Sequence, residues 1–440
     1  MRILHLTAGA GGMYCGSCLR DNTLATELMA RGHDVSLLPV YTPTRTDEAN
    51  VSDEHVFFGG ISVYLQQHVP LLRKTPAVLD FLWDIPAVIR AAAGRGVSIE
   101  AKDLGELTVS TLRGEEGFQA KEIKKLVRYL AGLPPFDLVV IPTGLLISLA
   151  GPIKRALGRP VLCTLQGEDL FLGGLSEAHR QESLALIARH APSVDGFIAT
   201  SDYYAAFMAG YLGIARGRIH VVPLGIHLDG FDPAPRPAKG PFTVGYFARV
   251  APEKGLHLLA EAYILLRKEL GLDAARLEAA GYLGPEHRGY LAGVEATLEK
   301  AGLRSELRYH GTVDRAAKMA FLRTLDVLSV PSPYAEPKGL YLLEAMASGV
   351  PWVQPRHGTF PEVHEKTGGG LLFEPNDVRS LAEHLLLLAR DRNLAEELGR
   401  RGAEGVRRHY TAAAMAERSL EVFKAVTDAA SREAPQLVTA

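Results

Sequence analysis

Cysteine is scarce in this chain. Its 440 residues hold three, Cys15, Cys18 and Cys163, and that count excludes a secreted disulfide scaffold. Excess charge is scarce too. A net charge of -2 and a pI near 6.7 provide no basic surface for nucleic acid, so no nucleic-acid partner is expected. Long apolar runs are missing. The most apolar segment, Leu138–Gly151, is broken by Pro142 and Gly144 and is too short to span a bilayer. The opening residues lack the continuous apolar stretch of a signal peptide, so a cytoplasmic location is expected. No short-period repeat or low-complexity tract is present. No G-x-G-x-x-G stands in register with a following acidic residue, and no D-x-D pair stands in a convincing loop.

What is present is a globular composition. Hydrophobic residues make up 47% and charged residues 22%, enough to bury a real core. The length fits two or three domains of about 100–200 residues each.

Strand-like and helix-like patterns alternate from the start. RILHLTAG (2–9) is a short apolar run ending in glycine. A helical face with Leu24 and Leu28 follows, stopped by Gly32, and then the strand-like VSLLPVY (35–41). That order predicts a parallel strand–helix–strand unit. Residues 47–119 are less legible. KEIKKLVRYLAGL (121–133) reads as an amphipathic helix. Its Lys121, Lys124, Lys125 and Arg128 fit either a solvated face or a peripheral contact with anionic lipid. Strand candidates follow at 137–143, 160–166, 196–201 and 219–225.

FDPAPRPAKGPF, with four prolines and a glycine, reads as a linker, and the domain boundary is placed at 233–241. The alternation then restarts, with strand candidates at 242–250, 275–284, 307–313, 325–332, 351–358 and 369–375. The expected fold is α/β, with two Rossmann-like domains facing a central cleft. Residues 1–232 form the first and 242–415 the second. A long helix is expected over 416–430, and 431–440 is a loose tail. Open α/β sheets bind ligands beyond the carboxyl ends of their strands.

Three segments carry chemistry. In PYAEPKGLYLLEAMASGVP (333–351), Glu336 lies in a loop, Gly339 near a helix start and Glu344 inside the helix. Free N–H groups and the helix dipole there favour an anion, and carboxylates accept hydrogen bonds from sugar hydroxyls. In GYFARVAPEKGL (245–256), Arg249 and Lys254 flank a loop and make a diphosphate clamp. Each of the first two, taken alone, is better read as ordinary surface charge or a helix-capping Glu. Gly9, Gly11 and Gly12 end the first strand and leave room for close backbone approach to a ligand.

Together these residues resemble the retaining glycosyltransferases of the GT-B fold, the family-four or group 1 transferases. That family includes sucrose synthases, bacterial-type glycogen synthases and phosphatidylinositol mannosyltransferases. The matching pieces are Gly11-Gly12, VVPLGI, ARVAPEKG, YHGTV, VLSVPSPYAEPKGLYLLEAMASGVPWV and HGTFPEV, in order along nearly the whole chain.

The resemblance implies that the helix over 416–430 crosses back onto the first domain. It also implies a nucleotide-sugar donor as substrate, no cofactor and no metal, and transfer with retained configuration by a front-side path. Arg249 and Lys254 would hold the diphosphate. Glu336 would bind donor-sugar hydroxyls, and Glu344 the ribose. The backbone of Gly339, Leu340 and Tyr341 would touch sugar or phosphate, with Val313 by the base and Gly11 and Gly12 against the diphosphate. The acceptor, a glycan, a lipid or a small molecule, is not readable, and neither are the donor base, the donor sugar or the oligomeric state.

The chain departs from the family pattern in places. Gln166 stands where many members have His, and an amide cannot take a proton. Glu168 and Asp169 remain beside it as acceptor-side or sugar-side candidates. Lys338 replaces an aromatic residue, and His227 a common Asp. The pair Cys15 and Cys18 fits a structural or substrate-lining role, a reactive redox pair, or a metal site. Besides a transferase, the sequence admits a sugar-nucleotide binding or regulatory protein without turnover, a thiol oxidoreductase, and an epimerase.

Overall fold

The computed structural model describes residues 1–9, 14–54, 56–57, 101–233 and 240–433. The chain divides into two compact units. The first gathers the described residues of Met1–Thr200, Tyr204–Pro223 and Ala416–Ala440. The second gathers those of Ser201–Tyr203 and Leu224–Met415.

In the first unit, six parallel strands form a sheet in the order β2-β1-β3-β4-β5-β6. They are β1 (Arg2–Thr7), β2 (Asp34–Pro39), β3 (Leu138–Ile141), β4 (Val161–Thr164), β5 (Gly196–Ala199) and β6 (Ile219–Val221). β1 pairs with β2 through Ile3 opposite Val35, and with β3 through Leu4 opposite Val139. β3, β4 and β5 are buried along their whole length. A parallel strand covered on both faces needs such a continuous apolar run.

Helix α1 (Gly16–Ala30) joins β1 to β2. It begins earlier than its Leu24/Leu28 face suggests. Cys15 is its N-cap, and Cys18 lies inside the first turn. The helix also buries the polar run Arg20, Asp21, Asn22 and Thr23, which apolar periodicity could not flag. Helix α2 (Ala120–Ala131) is the expected amphipathic helix, with Ile123, Leu126 and Leu130 buried. Helix α3 (Glu168–Gly173) follows β4.

In the second unit, the sheet order is β12-β11-β10-β7-β8-β9, again all parallel. The strands are β7 (Phe242–Phe247), β8 (Ala275–Ala280), β9 (Leu307–Tyr309), β10 (Val327–Leu328), β11 (Trp352–Pro355) and β12 (Gly370–Phe373). Counted within the unit, this is the order 3-2-1-4-5-6 of the doubly wound dinucleotide-binding fold. Its topological switch point falls between the first and fourth strands, here β7 and β10. The helices used below are α4 (Leu256–Lys268), α5 (Arg315–Arg323), α6 (Leu340–Ala347) and α7 (Phe360–Thr367).

The last helix, α8 (Ala412–Glu433), leaves the second unit after Met415 and packs within the first, with Phe423 fully buried. Among the described residues no helix is long and apolar enough to cross a membrane. Most of the expected linker, residues 234–239, lies outside the described residues, as do 434–440 of the tail and 58–100 of the hard-to-read stretch.

Candidate active site at the switch point of the second unit

The loops leaving β7 and β10 bracket the switch point of the second sheet. The β7 loop carries Arg249 and then a tight turn, Pro252–Lys254, closed by Gly255 at φ 74°. The loop after β10 carries Glu336 and ends at Gly339, whose φ of 66° caps α6. Glycine suits both turns because a side chain there strains the backbone. At Gly255 the approach is also tight: an added Cβ would lie 2.1 Å from the Pro331 carbonyl oxygen.

These two loops join through one ion pair. Lys254 Nζ donates to Glu336 Oε2, and Glu336 is 4% exposed. Burial alone would raise the Glu336 carboxyl. The Lys254 ammonium, the hydrogen bond it donates, and the charge and backbone N–H of Lys338 reverse that, and the net shift is downward. Glu336 is therefore an anion at neutral pH. Arg249 pairs with Glu253 four residues on, so each cation of the expected clamp is matched by a carboxylate.

Tyr341, in the first turn of α6, sits with its ring 6.0 Å from Lys254 Nζ. Its buried hydroxyl has no hydrogen-bond partner among the described residues. Burial, followed by the charge of Glu336, pushes the phenol up, so it remains a neutral donor. The first N–H groups of a helix have no acceptor within it, and the dipole adds partial positive charge. The N-terminus of α6 at Leu340 and Tyr341 thus adds donors beside Lys254.

Glu344 lies deeper in α6. Its Oε1 accepts from Lys318 Nζ of α5 at 2.5 Å, and both residues are buried. Val313 follows β9 and packs partly buried against the core that holds α6.

Several residues at this site escaped sequence reasoning. Glu253 and Lys318 are the ion partners just described. Gly358 has φ 61°, and an added Cβ would lie 2.5 Å from the Glu336 carbonyl oxygen. Its neighbour Thr359 donates its N–H to that oxygen at 2.9 Å. The HGTF turn before α7 therefore braces Glu336 from behind. His357 of that turn is pushed down by burial and is neutral. Gly281, at φ 140°, lets the β8 loop meet the β7 loop, since a Cβ there would reach 1.9 Å from Ala248 O. The glycines were visible in the sequence, but their contacts are long-range.

In the first unit, Gln166, Glu168 and Asp169 stand together after β4. Glu168 is 2% exposed and accepts five hydrogen bonds, one of them from the Tyr204 hydroxyl to Oε2 at 3.2 Å. Oε1 takes Thr143 Oγ1–H at 2.7 Å and Gly144 N–H at 2.9 Å. Oε2 takes the N–H groups of Gln166 at 2.7 Å and Gly167 at 3.1 Å. This carboxylate ties the loop after β3 to the loop after β4. Asp169 accepts from the Tyr204 hydroxyl at 2.8 Å. Gln166 donates its amide to Pro142 O at 2.8 Å, while its amide oxygen is buried without a partner among the described residues. Gly11 and Gly12 lie outside the described residues. Cys15 and Cys18 are both reduced, Cys18 fully buried and Cys15 partly.

Comparison with known proteins agrees with this architecture. A family model described as glycosyl transferases group 1 matches residues 231–405, and one described as a glycosyl transferase 4-like domain matches 22–225. The chain is 31% identical over 241 residues to a phosphatidyl-myo-inositol mannosyltransferase of Mycobacterium leprae, a match covering 54% of this chain and 61% of that one. The chain spans 61%, 47% and 62% of the first three curated relatives it matches.

Among solved structures, sucrose-phosphate synthase from Thermosynechococcus elongatus superposes with a TM-score of 0.72 at 18% identity, covering 98% of this chain and 100% of that one. HepE of Anabaena, in complex with UDP and glucose, superposes with a TM-score of 0.69 at 18% identity, covering 96% and 99%. At that identity the likeness is one of fold. With one model matched to each unit, in chain order, and the switch-point loops built as described, this chain belongs to the group 1 glycosyltransferases of the GT-B fold.

Proposed function

We propose that the chain transfers a sugar from a nucleoside diphosphate donor to an acceptor, with retention of anomeric configuration and without a metal ion. The observation that carries this reading is the Lys254–Glu336 pair at the switch point of the second sheet, with Arg249 on the same loop and the α6 N-terminus beside it. The names of relatives and neighbours agree: one is a GDP-mannose-dependent mannosyltransferase of Mycobacterium tuberculosis, and HepE was solved with UDP-glucose.

On this reading the donor diphosphate takes Arg249 and Lys254 from their carboxylates. These cations and the first-turn N–H groups of α6 stabilise the charge that grows as the sugar–phosphate bond breaks. Glu336, relieved of Lys254, accepts hydrogen bonds from the sugar hydroxyls. The acceptor oxygen attacks from the face the diphosphate leaves, and its proton passes to the departing phosphate oxygen. Glu344 accepts from the ribose, and Val313 borders the base. Gln166 serves as a hydrogen-bonding group of the acceptor or sugar side, and Glu168 and Asp169 hold its loop.

A second reading is a nucleotide-sugar binding protein without turnover. It is favoured by Gln166, which accepts no proton and whose amide is committed to Pro142 O.

Thermal unfolding with UDP, GDP, ADP and TDP, with and without EDTA, tests the donor site. A ligand bound only by the native state raises the melting temperature. One nucleotide should raise it whether or not EDTA is present. No shift with any of them at millimolar concentration would overturn the reading. Release of free sugar from the matching sugar nucleotide then separates a transferase from a binding protein.

A further inference from the structure

The two cysteines at the start of α1 are not used by the chemistry above. Cys15 is the N-cap, with φ -114° and ψ 127°, and its carbonyl accepts the first intrahelical bond from Leu19 N–H at 2.9 Å. Cys18 sits three residues on, in the first turn. Helix geometry places such Cα atoms about 5 Å apart, inside the roughly 4.4–6.8 Å range that a disulfide spans. The thiols are in contact: a hydrogen bond with Cys15, followed by burial and the charges of Cys15 and Asp21, raises the Cys18 thiol.

Beneath the pair is a buried polar cluster. Thr7 on β1 donates its hydroxyl to Asp21 Oδ2 at 3.0 Å and also hydrogen-bonds Cys18. Asp21 Oδ1 accepts from Arg20 Nη1 at 3.1 Å, and His5 Nε2 lies 3.4 Å from it. His5, Thr7, Arg20 and Asp21 are all at most 1% exposed. A purely structural cysteine needs no such setting, because it packs as a small hydrophobe. Here one thiol reaches the surface, and the second is buried behind it, touching the first and resting on a fixed carboxylate and hydroxyl. That is an accessible thiol with a resolving thiol in reach.

We propose that Cys15 and Cys18 are a redox-active dithiol that closes reversibly into a disulfide at the N-terminus of α1. The co-reactant is a low-molecular-weight disulfide, RSSR, of the glutathione class. The Cys15 sulfur, as thiolate, attacks one sulfur of RSSR. The RS–SR bond breaks and one RS⁻ leaves with the electron pair. The Cys18 sulfur then attacks Cys15 in the mixed disulfide, forming the Cys15–Cys18 bond and expelling the second RS⁻. The two thiol protons end on the two RS⁻ groups. The protein loses two electrons and two protons, and RSSR is reduced to two RSH.

The test uses the full chain, held natively in glutathione buffers with a rising oxidised share. The reaction is quenched with acid, and the protein is unfolded, alkylated with N-ethylmaleimide and mapped by mass spectrometry. The peptide carrying Cys15 and Cys18 should lose both alkyl labels while Cys163, buried and with its thiol raised by burial, keeps its own. Dithiothreitol should restore both labels. Cys18→Ser should trap glutathione on Cys15, and Cys15→Ser should leave Cys18 fully labelled. Retention of both labels in every buffer would overturn the proposal. So would a glutathione adduct on Cys15 that Cys18 never displaces. Neither result bears on the transferase reading.

Discussion

Lys318 Nζ lies 2.5 Å from Glu344 Oε1, with the two side chains only 4% and 6% exposed. The ammonium also lies 5.6 Å from the centre of the Phe231 ring. Removing one member of a buried pair leaves a charge with no compensation, at a cost of about 3–5 kcal/mol. Lys318→Met should therefore lower the unfolding free energy by about that amount in urea titrations. The double variant Lys318→Met, Glu344→Met should recover much of the loss. If the double variant is as unstable as the sum of the single ones, the pair is not the coupled unit described.

Glu336→Gln should slow sugar transfer by about 10²-fold, the scale of a lost charge contact in a transition state, with the far-ultraviolet circular dichroism unchanged. Unaltered turnover would remove Glu336 from the assigned role.

The same residue sets an acid dependence. Its folded pKa lies below that of the unfolded chain, near the ordinary carboxylate value of about 4.3. Between the two values the unfolded state binds more protons, so stability rises with pH there. The stabilisation from Glu336 is complete above about pH 4.3 and is lost as pH falls through the lower folded value. The stability gap between wild type and Glu336→Gln should shrink over that window when unfolding is measured at a series of pH values.

Two substitutions on one turn should act in opposite directions. Lys254→Ala removes a phosphate partner and should weaken nucleoside diphosphate binding about tenfold, or 1.4 kcal/mol. Glu253→Gln removes the carboxylate that occupies Arg249 and should tighten the same binding about two- to fivefold, as fits a partly exposed pair. Isothermal titration calorimetry reads both. Weaker binding in Glu253→Gln would show that Glu253 orients Arg249 and does not compete for it.

Gly358→Ala should impair both stability and transfer. The new Cβ would meet the Glu336 backbone at 2.5–2.7 Å in a left-handed turn, so Glu336 must move. A displacement of about 1 Å at a reacting group costs on the order of 10² in rate. The fall in kcat should therefore exceed what the loss of folded protein explains, when activity is normalised to the native fraction.

Much of the second unit was legible before its structure. Its strands are short apolar runs with glycine or proline stops, and Arg249, Lys254, Glu336 and Gly339 stand in motifs whose order could be read directly. What pairs with them was not legible. Lys318 stands in no motif, and its partner Glu344 lies on α6, which the fold brings against α5. Glu253 stands inside the quoted loop, but its pairing with Arg249 shows only in the structure. Glu168 was read as a group facing substrate or acceptor, and the structure adds four hydrogen bonds that join the loops after β3 and β4. The polar run Arg20 to Thr23 was hidden for the same reason: its burial depends on β1 and the loop after β2, which local periodicity does not report. Residues 58–100, the stretch hardest to read, lie outside the described residues.

The adjacency of β7 and β10 also bears on when the Lys254–Glu336 pair forms during synthesis. Val244 pairs directly with Val327, yet β8, β9 and their helices intervene in the chain. Non-local closures of this kind are reached late and slowly. A nascent chain that has released Lys254 holds only half of the ion pair. It gains the other half at Glu336, and the brace behind it at Gly358. On the proposed reading, capture of a nucleotide by a growing chain would therefore report the return of the second unit's polypeptide to its own sheet, and ligand binding would serve as a clock for folding.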